Sequence, residues 1–204
     1  MTCSVVCISH TTGSGGDEVG KQVAERLGYL YVDEDIVARA AAAGGLEPAD
    51  IADEERRKSY ARRVLETLAE GDPSMWTTPA HVELVRPADV RALIRETVLQ
   101  TAARGSVVIV AHAASHALEP GPDVLRVFVT ASLGTREQRV AATDGIERSQ
   151  ASKTIRDSDA GRSDYLKRFY SVERESPTDY DVVVNTDRLS TGDAAEIVLH
   201  AAGR

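Results

Sequence analysis

Five short stretches of the chain are rich in β-branched and apolar residues, and each is long enough for one strand. Four of them are nearly continuous apolar runs rather than strict alternations of apolar and polar residues. Strands of this kind are buried on both faces, which favours a parallel sheet covered by helices. The predicted strands are Ser4–Ser9, Tyr29–Val32, Ser106–Val110, Leu125–Val129 and Asp181–Val184.

Between these strands, apolar residues recur at three- and four-residue spacing, which predicts amphipathic helices. The first helix is followed by Gly28, a residue type that often ends helices, and Ser190 or Thr191 could cap the last one. A break is expected near Asp159–Gly161. The predicted helices are Asp17–Leu27, Asp35–Ala43, 49–69, Pro87–Ala103, 146–170 and Asp193–Ala202.

Two connections are much longer than a simple crossover between parallel strands. The second and third predicted strands are separated by 73 residues, and the fourth and fifth by 51 residues. Long insertions in a compact domain are often lids or binding segments. We therefore expect an α/β domain with two helical insertions that serve a binding site.

Charge is unevenly distributed along the chain. The formal net charge of −8 argues against a general nucleic-acid-binding surface. Residues 134–176 nevertheless hold nine Lys/Arg against eight Asp/Glu, so this segment is +1 and the remainder is −9. Clustered arginine in an acidic protein favours a compact anion such as phosphate. Ion pairs along a surface helix would give the same pattern.

The turn after the first predicted strand is the strongest candidate for chemistry. It reads HTTGSGGD, that is, His10-Thr11-Thr12-Gly13-Ser14-Gly15-Gly16-Asp17, and it opens directly onto a helix. Glycines allow positive φ and close backbone approach, and the N–H groups of such a loop can hold phosphate oxygens. A tight turn without a ligand is the alternative.

The loop departs from the Walker A pattern G-x-x-x-x-G-K-[ST], in which the lysine reaches the phosphates and the hydroxyl binds Mg²⁺. Counted from the strand end, His10 and Gly15 take the two glycine positions, Gly16 the lysine position and Asp17 the hydroxyl position. A frame shifted to Gly15–Lys21 restores a lysine, but more than one turn inside the helix. Asp17 suits a helix N-terminus and yet repels a phosphate bound there.

Three further patterns place charged residues where a phosphate could bind. Asp33 follows the second strand, at an edge where α/β sheets gather ligand groups, and Arg39 lies six residues later. Arg136 and Arg139 share one helix face and could grip a polyphosphate. The run 156–162 interleaves arginines with acids. Each pattern alone is also typical of a solvated surface.

In their order along the chain, these motifs resemble the cytidylate kinase-like family of P-loop nucleoside monophosphate kinases. The motifs are GSGG, LGYLYVDEDIVARA, RxxR, DxxRxxY and YDVVVNTDRLS, and they span about residues 4–200. The similarity is greatest to a branch with GSGG in place of GSGKS. It implies a P-loop NTPase three-layer α/β/α sandwich with a five-stranded parallel sheet in the order 2-3-1-4-5.

The resemblance also implies a domain plan and a set of site residues. One kinase-like domain, 1–204, would have its core in 1–33, 106–133 and 179–204, a helical monophosphate-binding insertion at about 34–105 and a lid at about 134–176. The phosphate loop of the family matches Thr12, Gly13, Ser14, Gly15 and Gly16. Its acceptor side matches Asp33 and Arg39. Its lid arginines match Arg136 and Arg139, and its later lid pair matches Asp159 and Arg162.

The implied function is ATP-dependent phosphoryl transfer to a nucleoside monophosphate, CMP or dCMP, with Mg²⁺ held by carboxylate or water and Asp33 as its best candidate ligand. Because the loop lysine is missing, a catalytically weak nucleotide-binding or regulatory protein on the same fold is the alternative; a kinase for another small acceptor is a third. With no long apolar run and no secretory signal, we expect a cytoplasmic monomer or homodimer that binds nucleotides, not membranes.

Overall fold

The parallel strands of this protein all have their carboxyl ends at the same edge of one sheet. The computed structural model describes residues 3–33, 98–111 and 114–203. Within these ranges, five parallel strands form one sheet in the order β2-β3-β1-β4-β5, as predicted. The strands are β1 Val5–His10, β2 Leu30–Val32, β3 Val107–Val110, β4 Val124–Thr130 and β5 Val182–Asn185.

Helices cover both faces of this sheet. Residues 98–103 are helical, and Pro177–Asp179 form a 3-10 turn. The predicted helices Asp35–Ala43 and 49–69, residues 87–97 and the candidate Arg39 lie outside the described residues. The helices are α1 Gly16–Leu27, α2 Ala114–Ala117, α3 Leu133–Asp144, α4 Arg148–Tyr170 and α5 Thr191–Ala201.

The central strand β1 is buried along its whole length because it has a covered face on each side. Val6 and Ile8 pack in the cluster that contains residues of α1 and α5. Val5 and Cys7, which point the other way, pack with Val98 and with the α2 region. This alternation builds the three-layer α/β/α arrangement, and it explains why the strand sequence is a continuous apolar run.

Two expectations about the helices have different outcomes. Ser190 caps α5 as expected, and it forms a reciprocal capping box with Asp193. The predicted break near Asp159–Gly161 is wrong, because α4 runs without interruption from Arg148 to Tyr170. Buried Ile155 and Leu166 anchor the helix on both sides of Gly161, so packing overrides the weak helix propensity of the glycine.

The strand ends bring three connections together. The Thr11 amide donates to the Val129 carbonyl over 3.1 Å, which ties the loop after β1 to the end of β4. The Thr186 amide donates to the Thr130 carbonyl over 2.8 Å, which adds the connection after β5. The loop that the sequence singled out therefore lies at the carboxyl edge of the sheet. In the described ranges, no helix has both the length and the apolar character required to cross a membrane.

Candidate functional site

The loop between β1 and α1 has a fixed shape that depends on two glycines. Gly13 and Gly15 have φ of 81° and 84°, in the left-handed region that favours glycine. A Cβ on Gly13 would lie 2.9 Å from the Arg136 carbonyl oxygen, and one on Gly15 would lie 2.8 Å from Cγ2 of Thr191. Neither position can take a side chain without a shift of the loop or its neighbours.

Ser14 holds this loop against the sheet. Its side chain is fully buried, and its hydroxyl donates to the Val129 carbonyl over 3.0 Å. Its amide donates to the Thr11 carbonyl over 3.0 Å. Because these bonds occupy both donors, Ser14 shapes the loop rather than offering a hydroxyl to a ligand.

The N-terminus of α1 can accept an anion. Gly15 is its N-cap residue and makes no side-chain capping bond, whereas Ser132 and Ser190 cap α3 and α5. The first N–H groups of any helix lack partners within that helix. Oriented N–H groups at a helix N-terminus favour phosphate oxygens. The backbone of the loop therefore fits the phosphate chain of a nucleotide.

The position of the Walker lysine is closed by a neighbouring side chain. A Cβ on Gly16 would lie 2.3 Å from Cβ of His10 and 2.4 Å from its Cγ. The His10 side chain is largely buried, and its Nε2 lies 3.5 Å from Oδ1 of Asp17, whose side chain is 59% exposed. The negative charge of Asp17 thus faces an imidazole at the loop.

The shifted reading frame has a structural explanation that does not involve phosphate. Gly20 lies inside α1, where a Cβ would be 2.4 Å from Cγ2 of Val110. It allows the helix to pack closely on the sheet. Lys21 is exposed, and its Nζ lies 5.8 Å from the centroid of the Tyr31 ring. The Gly15–Lys21 pattern is therefore a packing feature rather than a second phosphate loop.

Arg139 supports the loop from behind. It lies on α3, and its Nη1 donates to the Ser14 carbonyl over 3.2 Å and to Oγ1 of Thr186 over 2.9 Å. Its Nη2 donates to the Thr186 carbonyl over 2.7 Å, and Oγ1 of Thr186 in turn donates to the Ser14 carbonyl over 2.7 Å. The guanidinium and the threonine together hold the carbonyl side of the loop.

Arg136 joins the loop to α4. Its side chain is 7% exposed, and it donates to both carboxylate oxygens of Asp159 over 2.9 and 2.6 Å. It also donates to the Thr12 carbonyl over 3.3 Å. The Thr12 hydroxyl lies 2.7 Å from the hydroxyl of Ser158. Arg136, Thr12 and Asp159, which the sequence selected separately, therefore meet at one point.

Arg162 lies in a buried polar cluster beside the start of the loop. It donates to both carboxylate oxygens of Glu175 over 2.9 and 2.6 Å, and its Nη1 lies 3.5 Å from the His10 carbonyl oxygen. The Tyr180 hydroxyl donates to the same carboxylate. The guanidinium also lies over the Phe128 ring, 5.4 Å from its centroid. The Arg162 side chain is 5% exposed, and its charge is paired with that of Glu175.

Glu175 is the acid that compensates this buried charge. Burial alone would raise the pKa of its carboxyl, but hydrogen bonds with His116 and Arg162 and the charge of Arg162 lower that pKa to about 2. Burial and the bond to Glu175 raise the pKa of Tyr180. At neutral pH the cluster therefore consists of a carboxylate, a guanidinium and a neutral phenol.

A cleft of about 120 Å³ opens next to these arginines. Its walls include Thr11, Asp159, Arg162, Arg174 and Glu175. Among the described residues, the buried Thr11 hydroxyl has no hydrogen-bond partner. Positive groups and an orphaned hydroxyl at one cleft suit an anionic ligand, provided that the arginines exchange their carboxylates for it.

The acceptor side is described only in part. Asp33 directly follows β2 and is half-buried at the carboxyl edge of the sheet. Within the described ranges, no group of three or more His, Cys, Asp or Glu side chains could by itself hold a metal ion. One carboxylate together with substrate phosphates and water is nevertheless a common Mg²⁺ arrangement.

Some residues of the site were not selected from the sequence. Thr186 directly follows β5, so its position at the carboxyl edge of the sheet could have indicated a role beside the loop. Glu175 and Tyr180 had no such signal, because they reach Arg162 through the turn that follows α4. His10 occupies the first glycine position of the Walker frame, but its close contact with Gly16 can be seen only in the structure.

The geometry agrees with comparisons to known proteins. The model of the cytidylate kinase-like family matches residues 5–188. The chain belongs to this family. It is 32% identical over 183 residues to a cytidylate kinase of Ignicoccus hospitalis, covering 90% of each chain, and 28% identical over 197 residues to one of Aeropyrum pernix, covering 97% of this chain and 98% of that one. Nucleotide kinase activity is the activity that this membership supports.

Solved structures show the same fold. An uncharacterized protein from Eubacterium ventriosum superimposes with a TM-score of 0.70 at 15% identity, covering 98% of this chain and 99% of that one. A shikimate kinase from Acinetobacter baumannii, solved with shikimate, gives a TM-score of 0.52 at 14% identity and covers 98% of this chain and 93% of that one. At these identities the likeness concerns the P-loop kinase fold.

Proposed function

We propose that this protein transfers a phosphoryl group from ATP to a nucleoside monophosphate, with CMP or dCMP as the acceptor. The observation that carries the proposal is the uncapped start of α1 behind a fixed glycine loop, with Arg136 and Arg162 beside it. The relatives named cytidylate kinase support the choice of acceptor.

Phosphoryl transfer requires mainly positioning and charge stabilisation. In this proposal the N–H groups of residues 12–16, apart from that of Ser14, which binds the Thr11 carbonyl, hold the β-phosphate at the start of α1. Arg136 and Arg162 exchange Asp159 and Glu175 for phosphate oxygens, and so place positive charge where negative charge develops. Arg139 stabilises the shape of the loop by donating hydrogen bonds to its backbone carbonyls.

The acceptor side is proposed from the family resemblance. Arg39 would bind the phosphate of the monophosphate, and Asp33 would act as the carboxylate ligand of Mg²⁺. When bound, this ion neutralises charge on the phosphates and helps to align them. ATP and Mg²⁺ are accordingly the expected co-substrate and cofactor.

The decisive experiment measures ADP release with ATP, Mg²⁺ and a panel of acceptors, namely CMP, dCMP, UMP, AMP and shikimate, and identifies the product chromatographically. We expect turnover with CMP or dCMP and formation of the diphosphate. Turnover with another acceptor only would overturn the acceptor assignment. Tight ATP binding without turnover would instead indicate a nucleotide-binding protein with little catalytic activity.

A further inference from the structure

The side chains of residues 10 and 16 compete for one space at the start of α1. A Cβ on Gly16 would approach His10 to 2.3 Å, a separation that real side chains do not adopt. His10 is 7% exposed, so it has little room to move aside. Only one of these two positions can therefore carry a side chain in this loop.

In the Walker A pattern the glycine and the long side chain occupy the opposite positions. Its first glycine stands at the strand end, and its lysine stands on the first turn of the helix. Here the strand end carries His10, and the helix start carries Gly16. The side chain that carries nitrogen donors therefore stands on the helix in the Walker A pattern and at the strand end in this protein. We infer that it fills the same space in both cases.

We propose that His10 is a phosphate-binding residue, whose imidazole takes over from the strand end the role that the Walker lysine performs from the helix. This inference rests on the proposed use of ATP. An imidazole keeps one N–H donor when neutral and has two when protonated, so it can hold a phosphate oxygen in either state.

Asp17 and Arg162 fix the ring and its backbone. Nε2 of His10 lies 3.5 Å from Oδ1 of Asp17 on α1, and Nη1 of Arg162 on α4 lies 3.5 Å from the His10 carbonyl oxygen. A carboxylate beside a bound phosphate opposes binding through charge repulsion, and the contact with Asp17 places the His10 ring next to that carboxylate.

The contact between positions 10 and 16 also decides how a Walker lysine could be introduced. Replacing Gly16 by Lys and Asp17 by Ser would restore the Walker pattern, but the new Cβ at position 16 would lie 2.3 Å from Cβ of His10. The lysine can enter only if position 10 becomes glycine in the same protein.

A double-mutant cycle tests the exchange. ATP affinity is measured by calorimetry for wild type, His10→Gly, Gly16→Lys and the double variant, with melting temperatures recorded in parallel. We expect each single change to weaken ATP binding tenfold or more, and the double change to recover the wild-type affinity. His200→Ala, which removes an exposed imidazole on α5, is the control and should bind ATP like wild type.

Two further measurements separate phosphate binding from packing. His10→Leu fills similar space without any N–H donor and should weaken ATP binding tenfold or more while the protein remains folded. In nitrogen NMR spectra, a non-hydrolysable ATP analogue should shift the ring resonances of His10 but not those of His200.

The outcomes distinguish this inference from the proposed function. If wild type binds ATP and both His10 variants bind it equally well, His10 only fills space and the inference is wrong, while the proposed function stands. Wild type that does not bind ATP overturns both. A double variant that binds no better than Gly16→Lys would show that the two positions are not exchangeable.

Discussion

At the scale of single residues, two arginines of this site are already paired with acids of the same chain. Arg136 binds Asp159 and Arg162 binds Glu175, each through two parallel N–H···O bonds. A guanidinium binds a phosphate with the same fork geometry. The acids therefore stabilise the arginines in the absence of nucleotide and compete with it when it arrives.

Replacement of either arginine should reduce catalysis. We expect Arg136→Ala or Arg162→Ala to lower turnover about tenfold or more, on the order of 1.4 kcal/mol of transition-state stabilisation, while binding of the nucleoside changes less. Steady-state kinetics measure both effects. Because these side chains are buried, Arg136→Lys and Arg162→Lys should be measured with them, and melting temperatures should confirm folding.

Arg104→Ala is the matched control for both arginines. Arg104 is exposed and precedes β3, so it lies at the amino edge of the sheet, away from the loop. It should leave turnover unchanged. Full activity in both folded arginine variants would mean that these side chains serve only as structural ion pairs.

Glu175 should make stability dependent on acid pH. Its pKa is about 2 in the folded protein and near 4.5 when unperturbed, so its contribution is present above pH 4.5 and is lost as the pH falls toward 2. Glu175→Gln should lower the free energy of unfolding at pH 7, by up to about 3 kcal/mol. Denaturant titrations at several pH values should show the two curves converging near pH 2.

Glu173→Gln provides the comparison for this pH dependence. Glu173 is 74% exposed and pairs with Lys167 at the surface, so its loss should move the stability curve little. A gap between wild type and Glu175→Gln that stays constant down to pH 2 would show that the ionisation of Glu175 does not stabilise the fold.

At the scale of elements, close contact between α1 and the sheet depends on Gly20. Gly20→Ala improves helix propensity by up to about 1 kcal/mol, but the new methyl group would lie 2.4 Å from Val110. We expect overpacking to prevail, with a net loss of about 1–3 kcal/mol. Chemical denaturation measures this loss directly.

A second helical glycine offers a control for Gly20. In Gly192→Ala, on the first turn of α5, the nearest heavy atom to the new Cβ would be Oγ of Ser190 at 3.6 Å, an ordinary contact. This variant should be neutral or slightly stabilising. If Gly20→Ala were equally harmless, the close approach of α1 would not be needed for folding.

Local patterns predict the elements unevenly. The strand runs could be found because burial on both faces leaves a continuous apolar sequence, as in Val107–Val110. The continuity of α4 through Gly161 could not be found, because it depends on tertiary contacts with α3 and with the loop after β1 that the local pattern does not contain. The short helix Ala114–Ala117 has too few residues to carry a periodic pattern.

At the scale of the whole molecule, the resemblance to a family carried more information than any single motif. The sheet order 2-3-1-4-5 came from it, since apolar runs alone do not specify which strands are neighbours. The glycine loop, Arg136 and Asp159 were each selected from the sequence, but the contacts between them were not. The competition between His10 and Gly16 depends on a close approach of the strand end to the helix start, a Cβ at position 16 lying 2.3 Å from His10, and sequence spacing does not contain it.

The central strand also provides a reporter for folding and for nucleotide binding. Cys7 is a free thiol with no exposed surface, and burial raises its pKa to about 12. The thiolate is the reactive form, so Cys7 should react with iodoacetamide only when the sheet opens. In a Cys3→Ser variant, which leaves Cys7 as the single thiol, labelling should therefore follow global unfolding.

ATP binding should slow this labelling in a calculable way. A ligand that binds only the folded state adds RT ln(1 + [L]/Kd) to stability, so ATP at about 100 times its Kd should slow the reaction of Cys7 roughly 100-fold. Mass spectrometry of timed samples measures the rate, and ATP should not protect a short cysteine peptide in the same tube. Rapid labelling of Cys7 in the native protein would contradict the buried central position of β1, whereas slow labelling that ATP leaves unchanged would contradict nucleotide binding alone.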